Sequence, residues 1–82
     1  MEAAVAIEPY ACTMRARVLG HIRERGVCGA TDDEIEVALD MRHQTASARR
    51  NDLAGLGLIE DSGRTRLTRS GRKATVWVAR EE

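Results

Sequence analysis

The chain predicts an α+β domain: three short helices followed by a β-hairpin. Three observations carry this. Apolar residues recur at helical spacing up to about residue 54, where β-branched residues take over. Thr31-Asp32-Asp33-Glu34 has the pattern of a helix-opening capping box. Glycines at 26, 55, 57 and 71 fall where elements must end or reverse. At 82 residues the chain makes one domain with a modest core. Phe is absent and Tyr10 and Trp77 are the only aromatics, so that core is aliphatic and alanine-rich.

Residues 1–12 show no clear period and read as a partly disordered N-terminal arm, in which Pro9 fits a helix start. The folded domain is expected over 13–79, with 80–82 a C-terminal tail. Thr13 is the expected N-cap of a first helix reaching Arg25, with Met14, Val18 and Ile22 in one apolar stripe and Leu19 beside it. The second helix buries Ile35, Ala38 and Leu39. Asp40-Met41-Arg42-His43 is a tight connection with Met41 as its apolar plug. The third helix runs from about Gln44 to Ala54. At about 100° per residue, Ala46, Leu53 and Leu56 share one side and Gln44, Ala48 and Asn51 the other, with Ser47 at the edge. Strand character begins at Leu58-Ile59 and is clearest in Thr65–Thr68 and Ala74–Ala79. Ser70-Gly71-Arg72-Lys73 is the turn, because Gly71 accepts positive φ. Trp77 is expected to anchor the hairpin to the first helix rather than to stack on a base.

Net charge is zero, but the signs are segregated. Residues 1–41 hold four arginines against eight acids, and residues 42–73 hold eight basic residues against three acids. Such a split gives one face for a polyanion and another for a different partner. The acids at 32–34 are explained by capping and the helix dipole. No nucleophile, paired base or phosphate-cradling loop accompanies them, so no enzyme is expected. Cys12, His21, Cys28 and His43 lack the close pairs of a metal site; neither a metal nor a cofactor is expected, and both cysteines read as small apolar residues. With no basic leader and no apolar run near the ~20 residues of a membrane span, the chain is expected to be cytoplasmic, with no membrane partner.

The segments Thr31–Ile35, Gln44-Thr45-Ala46-Ser47-Ala48-Arg49, Leu53-Ala54-Gly55-Leu56-Gly57-Leu58-Ile59 and Thr68-Arg69-Ser70-Gly71-Arg72 together resemble the winged helix-turn-helix superfamily of bacterial and phage DNA-binding proteins. The Gln-Thr-x-Ser-Ala-Arg run is similar to that of small phage and actinobacterial members. The resemblance covers about residues 13–79. It implies that the third helix enters the major groove of duplex DNA while the hairpin, the wing, lies on the backbone or minor groove. Carried over by position, Gln44, Thr45, Ser47 and Asn51 face base edges or nearby phosphates, Arg42, Arg49 and Arg50 flank them, and Arg69, Arg72 and Lys73 contact phosphates. Arg64 and Arg66, on alternate positions, join the wing's basic run. Arg50 departs from the pattern, since relatives commonly carry an aliphatic there: it is either an arginine laid over a thin core or the mark of unusual packing.

The function so implied is sequence-specific duplex binding by a small transcriptional regulator. A homodimer through the first helix and the arm would pair half-sites. Two alternatives remain open at this level: a protein–protein winged helix whose acidic face docks on a partner, as in a phage adaptor or inhibitor of a host protein, and an architectural or recombination factor that bends DNA.

Overall fold

The capping box at Thr31 forms as expected and sets the direction of the helix after it. Thr31 Oγ1 accepts from the Glu34 backbone N–H at 3.2 Å, and the Thr31 N–H donates to Glu34 Oε1 at 3.3 Å. The structure, a computed structural model, describes the backbone of residues 2–80 and the side chains of residues 13–80. Its elements are α1 (Glu2–Arg25), a 3₁₀ turn (Gly26–Cys28), α2 (Asp32–Leu39), α3 (His43–Gly55), β1 (Ile59–Leu67) and β2 (Lys73–Ala79). This is the α+β arrangement expected, three helices and then an antiparallel hairpin, consistent with winged-helix topology.

The first helix is longer than the capping signal implies. It runs without a break from Glu2, so Pro9 and Thr13 lie inside it. Its first turns contain Ala3, Ala4 and Ala6, and alanine has the highest helix propensity, so Thr13 is not needed as a start. The side chains of the arm, Tyr10 and Cys12 among them, and residues Glu81 and Glu82 lie outside the described set, as does the arm's share of the expected dimer surface.

Val18 and Ile22, one turn apart on α1, are completely buried and meet Ile35 of α2, Ala46 and Leu53 of α3 and Ile59 of β1. Leu19, Leu39, Met41 and Trp77 pack around this cluster, so Met41 plugs the turn between α2 and α3 as expected. Two expectations fail at helix ends. Leu56 is 64% exposed because it caps α3 rather than continuing it. The Leu58 N–H bonds to the Leu53 carbonyl at 3.0 Å and the Gly57 N–H to that of Ala54 at 3.1 Å, and this Schellman closure turns the chain off the helical wheel. Ala38 is exposed, since only Ile35 and Leu39 of the short α2 reach inward. Cys28 is exposed on the 3₁₀ turn, not a core residue.

The hairpin pairs Ile59 with Ala79 and Leu67 with Lys73. Its tip closes through Thr68, whose N–H donates to the Arg72 carbonyl at 2.8 Å and whose carbonyl accepts from Gly71 at 2.9 Å, with Gly71 at φ +84°. Between Asp61 and Thr65 the register slips, and Ser62, Gly63 and Arg64 bulge out against Val76. Asp61 Oδ1 and Ser62 Oγ hold the bulge by accepting from the Gly63 and Arg64 N–H groups at 2.8 and 3.2 Å. The sheet gains a one-residue third strand at Ala30, which exchanges both backbone bonds with Trp77 at 2.9 and 2.8 Å. Trp77 is therefore tied to the segment between α1 and α2. Among the described residues no helix is long and apolar enough to cross a membrane.

Candidate nucleic-acid interface

The candidate interface begins with α3, which presents different chemistry on its two sides. Ala46 and Leu53 are buried, whereas Gln44, Ala48 and Asn51 are exposed on the opposite stripe, with Ser47 half-buried beside them. His43, Gln44, Ser47, Ala48, Arg50 and Asn51 line a concavity of about 430 Å³. Thr45 is half-buried at the first turn, and Arg42, the backbone N-cap of α3, is exposed. The helical wheel thus placed Gln44, Ser47 and Asn51 on one side correctly.

The two arginines of α3 carry their guanidinium groups off that stripe, although Arg50 borders the concavity. Arg50 turns toward α2 and donates from Nε and Nη2 to the two carboxylate oxygens of Asp32, each at 2.8 Å. Its guanidinium carbon lies 4.7 Å from the centre of the Trp77 ring. This settles the departure read at this position: Arg50 roofs a thin core, held by a bidentate acid and an aromatic face. Arg49 turns the other way. Its Nε lies 3.0 Å from Asp52 Oδ2, an ion contact without hydrogen-bond alignment, and Asp52 also accepts from Arg15 of α1 at 3.3 Å.

Three of the wing arginines, Arg64, Arg66 and Arg69, are also engaged. Arg66 forms a bidentate pair with Glu34 at 2.7 and 2.8 Å and reaches the Gly29 carbonyl at 3.2 Å. Arg64 donates to the Val27 carbonyl. Arg69, at the tip, donates from Nε to Asp33 Oδ1 at 2.8 Å and from its backbone N–H to Oδ2 at 3.2 Å, with Glu36 at 3.4 Å. The hydrogen bond from Arg69 holds the Asp33 carboxyl below its ordinary value, and that from Arg66 does the same for Glu34. Glu36 also bonds His43 Nδ1 at 2.6 Å, which raises the imidazole above its ordinary value.

The segregated charges of the sequence therefore close on one another. Each acid of the first turns of α2 takes a cation from α3 or from the wing: Asp32 takes Arg50, Asp33 takes Arg69, Glu34 takes Arg66, and Glu36 takes His43 and Arg69. Sequence reasoning assigned Asp32, Asp33 and Glu34 to capping and offered the acidic face to a partner, and it missed the internal pairing. Its trace was the matched size of the two opposite blocks, which carries no register. Arg42, Arg72 and Lys73 are exposed, and their side chains make no hydrogen bond or ion pair with other described residues. Among the described residues no group of three or more His, Cys, Asp or Glu side chains is placed to hold a metal.

Comparison with protein-family models, curated proteins and solved structures finds no match to this chain.

Proposed function

We propose that this chain binds duplex DNA as a small winged-helix regulator, with α3 in the major groove and the hairpin tip on the phosphate backbone. The observation that carries the reading is the outward stripe of α3: Gln44, Ala48 and Asn51 are exposed and uncharged, two carboxamides and a methyl, with His43 and Arg50 at its border and the exposed Arg42 at its head. A solvated helix face in so charged a chain has no need to be free of charge, whereas a face lying against base edges gains by offering hydrogen bonds and a methyl group. Arg72 and Lys73 supply backbone contacts, and Arg69 is a third once it leaves Asp33.

The DNA reading is preferred to docking on the acidic face because the acids of α2 already take internal cations. The test is fluorescence anisotropy of a labelled duplex titrated with the chain at two salt concentrations. DNA binding predicts affinity that falls steeply with salt, and replacing Arg72 and Lys73 with alanine lowers the log–log slope by about 2. Absence of binding at low salt would overturn the reading.

A further inference from the structure

We infer that α3 reads A·T base pairs at the centre of its site, with any guanine contact confined to the edge beside Arg42. This rests on the DNA-binding reading and names the class of sequence bound.

Guanine is distinguished in the major groove by a bidentate donor set on its O6 and N7 acceptors, the geometry of a guanidinium. The middle of α3 offers none. Arg50 spends its Nε and Nη2 donors on Asp32 at 2.8 Å and lies on Trp77, and Arg49 is drawn to Asp52 on the α1 side. Gln44 and Asn51 remain, and their carboxamides each carry one acceptor and a donor pair. That set matches the N7 acceptor and N6 donor of adenine. Between them on the same stripe is Ala48, exposed, whose methyl suits the C5-methyl of thymine. From Gln44 to Asn51 the helix rises about 10 Å, the length of roughly three base-pair steps. Arg42 precedes the first turn and so meets only the end of that run.

The experiment selects duplexes from a random pool with the full chain, then measures anisotropy on the winning sequence. The expected winner has A·T pairs over about three central positions, and changing one to G·C weakens binding roughly ten- to a hundredfold. Asn51→Ala removes the preference at one of these positions and Gln44→Ala at another. Both side chains are exposed, so the melting temperatures of these variants match that of the parent. G·C pairs selected at the positions these variants make indifferent would overturn the inference, as would binding with no preferred sequence; either leaves the DNA reading standing. Failure to retain any duplex overturns both.

Discussion

Arg50 and Asp32 are joined by two parallel hydrogen bonds of 2.8 Å, and the same guanidinium covers Trp77 at 4.7 Å. Three elements meet there: the first turn of α2, the middle of α3 and β2. The side chains of the pair are only 17% and 19% exposed, so neither charge is well hydrated without the other. Removing one partner leaves the second stranded.

Arg50→Ala is therefore expected to destabilise the fold by about 2 kcal/mol, from a half-buried orphan carboxylate and a lost cation–π contact. Arg50→Lys recovers little of this, because an ammonium reproduces neither the fork nor the stacking plane. Thermal unfolding followed by the fluorescence of Trp77, the single tryptophan, measures both. Unchanged melting in Arg50→Ala would make the pair a surface decoration.

Gly29→Ala is expected to be the more damaging change. A Cβ there would meet the Trp77 carbonyl oxygen at 2.5 Å, Val76 Cγ1 at 2.7 Å and Val78 Cγ1 at 2.9 Å, on a backbone with φ +62°. Nothing around it yields cheaply, since the nearest atom is backbone and the Ala30–Trp77 bridge follows immediately. The expected loss is roughly 3 kcal/mol or more, from overpacking and backbone strain together. Gly63→Ala is the control: φ is +84° but the space is open, so only the backbone cost of about 1–2 kcal/mol applies. Equal melting temperatures for the two variants would refute the close-approach argument.

What was legible beforehand follows from the range of each interaction. The Thr31 box spans three residues and the faces of α3 repeat every few residues, so both were readable from spacing. The pairing of Arg69 with Asp33 spans 36 residues and has no period to betray it. The slip at 62–64 was hidden for another reason. Asp61-Ser62-Gly63 has turn chemistry, yet it is used inside a strand, where the pairing strand β2 decides whether a turn becomes a bulge. Of the candidate contacts, the wheel found Gln44, Ser47 and Asn51. It had no means to withdraw Arg50, whose partner Asp32 lies on α2, whereas Arg49 and Asp52 stand three residues apart on α3, a spacing that was readable.

The Arg69 pairing makes α2 a competitor for the wing. Arg69 is 64% exposed yet bound to Asp33 and Glu36, so a DNA phosphate must displace a carboxylate to take it. Asp33→Asn is expected to tighten duplex binding several-fold at low salt and to steepen the salt slope by up to about 0.9, one further phosphate contact. Because Arg69 itself stays largely hydrated, loss of the pair should cost at most about 1 kcal/mol of thermal stability. Anisotropy titrations of the parent and Asp33→Asn at matched salt decide it. Identical affinity and slope would mean that Arg69 stays on α2 in the complex and is no phosphate contact.

Glu36 links the start of α3 to the wing tip, because it accepts from His43 at 2.6 Å and lies 3.4 Å from Arg69. The carboxylate favours the protonated imidazole, raising His43 above its ordinary 6.5 in the folded chain. A group raised on folding binds its proton more tightly in the native state. Its contribution is thus fully present below the ordinary value and disappears as pH climbs through the raised one. Melting temperature should accordingly fall across neutral pH as the His43–Glu36 pair loses its charge. The His43→Gln variant should lack that part of the fall, and the difference between the two profiles isolates His43 from His21. In an NMR titration the His43 ring should show a midpoint above 6.5 that returns toward it in Glu36→Gln. A parent midpoint at or below the ordinary value would remove Glu36 as the link between α3 and the wing.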